Sequence, residues 1–232
     1  VQDCAGNWGG DAVADQCGVC DADPDNDCEC GDELPCDDGF VCEDGQCIAE
    51  PAAPQAGLLF SEYVEGSGNN KAVEIFNPTD EAIDVSDCSI QIYANGNERA
   101  TSTINFGDDQ SIDAGGVLVV CNSQGHQDLI ARCDIQTGSL TFNGDDFVAL
   151  TCDGTIVDGI GQLGIDPGAA WRSAGVSTQD ATIRRDCDIN APDADASDPF
   201  DPSEEWIAFN RDTFDDLGRH CVEGCPDGQV ED

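Results

Sequence analysis

One lysine, Lys71, and seven arginines face 49 carboxylates in this 232-residue chain, leaving a formal net charge of −41 at pH 7. Phosphate recognition needs a basic patch, and only Arg184 and Arg185 are adjacent, so nucleic acid is excluded as a partner. Histidine is nearly absent too: His126 and His220 are the only two. No Gly-x-Ser-x-Gly elbow, phosphate-binding loop or His-Glu-x-x-His occurs. Nothing singles out a carboxylate pair for glycoside hydrolysis, and an aromatic content of 6% is low for a glycan cleft. The chain therefore reads as non-enzymatic. It lacks any run of 18 apolar residues, which excludes a helical membrane span. It also lacks methionine and a basic-then-apolar leader, and reads as a mature secreted chain or a piece of one.

What the chain does have is cysteine, 15 in all. In a secreted protein these are staples rather than metal or redox ligands. Self-repulsion at −41 opposes compaction unless disulfides, bound cations or salt offset it. Cys4, Cys17, Cys20, Cys28, Cys30, Cys36, Cys42 and Cys47 form one set; Cys88, Cys121, Cys133, Cys152, Cys187, Cys221 and Cys225 form the other. A Pro/Ala linker at 50–56 separates them. The first 47 residues carry too few large side chains for a core, so four disulfides are expected to hold them, at ~2–4 kcal/mol each. Structural zinc at Cys17, Cys20, Cys28 and Cys30 is disfavoured, because no histidine and no second Cys-x-x-Cys accompany them. The second set is odd, so one of its cysteines is free or bonded elsewhere. Strand ends suggest Cys121 with Cys133 and Cys152 with Cys187, leaving Cys88 to Cys221 or Cys225.

Two small modules are expected before the linker. Residues 1–29 contain Asp3-Cys4-Ala-Gly-Asn-Trp8-Gly-Gly and Asp15-Gln-Cys17-Gly-Val-Cys20, which resemble a repeat of large bacterial surface proteins. Residues 30–49, with Cys30, Cys36, Cys42 and Cys47, resemble a small EGF-type or knottin-like loop. Alternating acids at Asp21, Asp23, Asp25 and Asp27, followed by Glu29 and Asp32, offer hard oxygen ligands suited to Ca²⁺. This segment is similar to the calcium-wrapped repeats of thrombospondin type 3; the alternative is a solvated acidic turn. A second acidic stretch, Asp193, Asp195, Asp198 and Asp201, is a weaker calcium candidate, and its prolines argue against regular structure.

From Leu58 onward, short β-type runs recur between Gly, Asn, Asp and Pro turns, which predicts an all-β sandwich over 57–221. Runs at 58–64, 72–76, 89–93, 101–106, 116–120, 147–150, 155–158, 181–184 and 206–209 are the expected strands. Residues 126–132 form the one expected helix, and Asn143-Gly-Asp-Asp146 is expected to be a hairpin turn. Glu62 and Glu74 either pair with Arg184 or Arg185 or are ordinary solvated charges. Trp171 and Trp206 are expected to pack in the core or at its edge.

The succession Ser61-Glu62-Tyr63-x-Glu65-Gly66, Asn70-Lys71-x-Val73-Glu74-Ile75-Phe76-Asn77-Pro78, Leu118-Val-Val-Cys-Asn122, Asn143-Gly-Asp-Asp146-x-Val148-Ala-Leu150 and Asp158-x-Ile160-Gly161 resembles the bacterial lamin-tail domain. Trp171, Thr182-x-Arg184-Arg185 and Glu205-Trp206 fit the same pattern. The resemblance implies an immunoglobulin-like β-sandwich without catalytic residues, of a kind found in secreted bacterial proteins beside hydrolases or adhesive modules. The expected function is an extracellular structural one: a subunit or repeat of a filament or cell-surface assembly, stapled by disulfides and neutralised by Ca²⁺, whose partners are its own copies or neighbouring surface modules. The alternative is an accessory binding module of an adhesin or hydrolase. Salt adaptation is a third account of the acid excess. Residues 222–232 read as a tail or a junction to a further unit.

Overall fold

The structure, a computed structural model, describes residues 57–221 together with the strand backbone at 13–14, 20–21, 40–43 and 46–49. The chain divides into two compact units, Val1–Ala53 and Pro54–Asp232. In the first, β1 (Val13–Ala14) pairs antiparallel with β2 (Cys20–Asp21), and β3 (Phe40–Glu43) with β4 (Gln46–Ala49).

The second unit is a β-sandwich. Its strands are β5 (Leu59–Glu65), β6 (Lys71–Phe76), β7 (Ile83–Asp84), β8 (Cys88–Tyr93), β9 (Ser102–Asn105), β10 (Ser111–Ile112), β11 (Val117–Asn122), β12 (Ile135–Thr137), β13 (Phe147–Cys152), β14 (Thr155–Ile160), β15 (Arg172–Ser173), β16 (Val176–Ser177), β17 (Ala181–Arg185) and β18 (Trp206–Phe209). One sheet runs β12-β11-β6-β5-β17-β18 and the other β14-β13-β8-β9. All pairings are antiparallel except β11 with β12. Two short pairs, β7 with β10 and β15 with β16, complete the described strands.

Period-two alternation explains which side chains meet. Tyr63, Val73, Ile75, Leu118, Val120 and Ile183 from the larger sheet interleave with Ile90, Ile92, Ile104, Val148, Leu150 and Ile160 from the smaller one. The other face of the larger sheet is covered as well: Val64, Ala72, Val119 and Cys121 pack beneath Leu129 and Leu217, with Phe214 and Cys133 alongside. That double burial is why β5, β6 and β11 are apolar or buried at nearly every position.

The predicted strands all form, shifted by one or two residues at most of their ends. The predicted helix is a single turn, α1 (Gln127–Ile130), capped by His126, whose Nδ1 accepts from the Asp128 N–H. A second turn, α2 (Pro202–Glu205), forms where prolines argued against regular structure. Proline suits a first helical position, because its missing N–H would have no helical partner there. Asp201 caps α2 through the Ser203 N–H. Asn143–Asp146 does make a turn, closed from Asp146 N–H to Asn143 C=O, but it joins strands of different sheets, β12 and β13, and is no hairpin.

The disulfides correct the expected pairing. Cys121–Cys133 forms as expected. Cys152, however, bonds Cys88 rather than Cys187, because the two lie directly opposite on β8 and β13 with Cα atoms 4.0 Å apart. Cys187 instead bonds Cys221. Six cysteines of the second set are thus paired, and its odd member is Cys225, which lies outside the described residues.

Candidate functional site

Three buried ionic clusters organise the sandwich, and between them they use Lys71, Arg184 and Arg185. The first bridges the two sheets. Inward alternation on β17 places Arg185 beside Ile183, facing the interior. A bulge between β13 and β14 sets Asp158 opposite Leu150, so its carboxylate also faces inward. Arg185 Nη1 donates to Asp158 Oδ2 at 2.6 Å, and both side chains are inaccessible to solvent. Asp158 also accepts from Phe60 N–H at 2.6 Å and Asp193 N–H at 2.8 Å. The guanidinium pairs with Glu205 and lies 5.2 Å over the Trp206 ring. Burial pushes Asp158 up to about 6, against the opposing pull of Arg185 and the two backbone donors.

The second cluster lies on the outer face of the larger sheet. Glu62 on β5 and Glu74 on β6 are direct cross-strand partners, and both are almost fully buried. Like charges directly opposed on a sheet destabilise it. Here Arg184, opposite Glu62 on β17, sits 3.2 Å away with Nε toward Glu62 Oε2. Glu74 is held differently: Ser61 Oγ donates to Oε1 and the Gly218 N–H to Oε2. Burial raises Glu62 to about 8 and Glu74 to about 7, with Arg184 opposing the shift at Glu62. The expectation of an arginine partner thus holds for Glu62 and not for Glu74, while Arg185 turns inward to Asp158.

What buries these carboxylates is the segment 210–221. Thr213 C=O accepts from Thr182 Oγ1, and Asp215 accepts from Arg184 Nη2 at 2.7 Å. Arg132 Nη1 donates to Asp215 C=O and Leu217 C=O, and His220 packs edge-on against Phe76. The Cys187–Cys221 disulfide fastens the end of this cover to the residues following β17.

The third cluster holds the lysine. Lys71 and Glu65 face each other across β6 and β5 as a buried ion pair. Lys71 Nζ also donates to Gly66 C=O, and Glu65 accepts from Asp180 N–H. Nearby, Asp212 ties down the β5–β6 turn by accepting from Ser67 N–H, Ser67 Oγ and Asn70 Nδ2.

Of the calcium candidates, Asp21, Asp23, Asp25, Asp27, Glu29 and Asp32 lie outside the residues whose side chains are described. The segment Asp193–Asp201 is fastened to the sandwich through Asp193 N–H and through the bond from Leu163 N–H to Ala196 C=O. Its carboxylates accept from nearby backbone and hydroxyl groups: Asp193 from Asp195 N–H, Asp195 from Ser197 N–H and Oγ, Asp201 from Ser203 and Ser173. Asp198 lies exposed in the same run. Among the described residues no three or more His, Cys, Asp or Glu side chains gather in a geometry for a metal ion. No described helix is long and apolar enough to cross a membrane. Trp171 and Trp206 are both buried.

Sequence reading placed Asp158 and Glu205 only within the family pattern and missed their pairing with Arg185, and it missed the cover. The parity of Ala181-Thr-Ile-Arg-Arg185 carried a signal, since it puts one of two adjacent arginines on the apolar face.

Residues 51–164 match the model of the Lamin Tail Domain family. The match stops short of β17 and β18, which supply Arg184, Arg185 and Trp206 to the same sandwich. No curated protein and no solved structure matches the chain.

Proposed function

We propose that the chain is a non-enzymatic structural component of an extracellular assembly, a subunit or repeat of a surface filament. The observation that carries this reading is where the scarce positive charge goes. Of the eight basic side chains, Lys71 and Arg185 are buried against Glu65 and Asp158 and Arg184 is half-buried against Glu62, where they brace the sandwich internally. Among the described residues, three disulfides lock the same unit. An oxidising, extracellular setting accounts for bonds of that number. The Lamin Tail Domain match over 51–164 adds a module type suited to scaffolding rather than chemistry.

Copies carrying −41 each repel one another, so association requires neutralisation. Ca²⁺ is the proposed counter-ion, held by Asp21, Asp23, Asp25, Asp27, Glu29 and Asp32. Sedimentation velocity of the full chain at fixed ionic strength tests this. Higher oligomers appearing with CaCl₂ and absent with NaCl support the reading. A monomer under both conditions contradicts it and favours the accessory binding module, which the division into two compact units also suits.

A further inference from the structure

The three described disulfides differ in accessibility. Cys88 and Cys152 are closed within the sandwich, and Cys121 is fully buried beneath the cover. Cys187 is exposed and Cys221 half-buried. This bond alone has an imidazole against it: His220 Nε2 lies 3.0 Å from Cys221 Sγ. The ring is held in place, 8% exposed and packed edge-on to Phe76 with centroids 4.7 Å apart.

We infer that Cys187–Cys221 is a thiol-exchange site, at which an aliphatic thiolate from solution attacks the exposed Cys187 Sγ and displaces Cys221 Sγ against the His220 ring. The incoming thiol loses its proton to solvent, and its sulfur forms a new S–S bond with Cys187. The Cys187–Cys221 bond breaks with its electron pair going to Cys221, whose thiolate then takes a proton from solvent. The count of disulfides and thiols is unchanged, so no further oxidant or reductant is needed. Exchange is faster when the leaving thiolate is stabilised, and a hydrogen bond from an Nε2–H tautomer supplies that. Burial lowers the His220 pKa to about 4, so the ring is neutral at physiological pH and carries one N–H to donate. Opening the bond frees the end of the cover over Glu62 and Glu74, while Leu217, the Gly218–Glu74 bond, the Arg184–Asp215 pair and the bonds from Arg132 and Thr182 hold the rest.

The test uses the full oxidised chain given short pulses of reduced glutathione at pH 7.5, quenched with acid, alkylated and mapped by mass spectrometry. Glutathione should sit on Cys187 and the new free thiol on Cys221, with both modified about tenfold or more faster than Cys88, Cys121, Cys133 and Cys152. His220→Phe keeps the ring packing but removes the nitrogen, and should slow exchange several-fold with an unchanged near-ultraviolet spectrum. His220→Asn restores a donor and should recover part of the rate. Equal rates at all three bonds, an adduct on Cys221, or a folded His220→Phe variant that exchanges as fast as the parent would each overturn the inference. The site preference is read on the unmutated chain and stands apart from either variant folding.

Discussion

Replacing Glu74 by glutamine should stabilise the protein at pH 8 and leave it unchanged near pH 4.5. The side chain is fully buried under the 210–221 cover, opposite Glu62, with its two oxygens accepting from Ser61 Oγ and Gly218 N–H. Burial raises its pKa from 4.5 to about 7. A carboxyl group whose pKa is raised on folding stabilises the native state while protonated. That contribution is complete below pH 4.5 and is lost as pH rises through about 7. At 1.36 kcal/mol per unit, the shift corresponds to about 3 kcal/mol by pH 8. Glutamine preserves the shape and the acceptor toward Gly218 and removes the titration. Urea unfolding from pH 4.5 to 8 at constant ionic strength gives the readout. The parent should lose stability steadily with rising pH, and Glu74→Gln should lose about one proton's worth less. The general relief of the −41 charge at low pH acts on both proteins and cancels in the comparison. A variant as pH-dependent as its parent, or one destabilised equally at every pH, would refute the argument.

Further outcomes follow from the buried contacts. Asp158→Ala strands the Arg185 guanidinium and the Phe60 and Asp193 N–H groups, and should cost ~3–5 kcal/mol in urea unfolding. The double replacement Asp158→Leu with Arg185→Met should be milder than that single change. Removing Cys88–Cys152, which closes a 64-residue separation, should lower stability by ~4 kcal/mol, against ~3 kcal/mol for the 12-residue Cys121–Cys133. Lys71 should resist an amine-reactive ester about tenfold or more in the folded chain and react freely once unfolded, as peptide mapping would report.

Elements whose information is local were legible in the sequence. Trp206–Phe209 forms within the residues expected, because alternation and flanking polar residues define it. Cys121–Cys133 was readable from the strand ends that flank it, with only 12 residues separating the pair. Cys88–Cys152 was not, since it depends on β8 and β13 becoming neighbours across 64 residues. The same holds for Asp158 and Arg185, whose meeting needs a bulge in β14 and the stacking of both sheets. For Glu62 and Glu74 the sequence left arginine pairing and solvated charges equally open, because their cover arrives from more than 130 residues downstream, as the Gly218–Glu74 separation of 144 shows. α2 was legible in hindsight: Asp201-Pro202-Ser203-Glu204 places a cap, a first-turn proline and an early acid in order.

We propose that this disulfide-locked, acidic sandwich is a building unit of an extracellular polymer. Negative-stain electron microscopy of native material, with and without EDTA and with and without a reductant, tests it most directly. Ordered filaments that fray on chelation or reduction are the expected result. Monodisperse particles in every condition would contradict the claim.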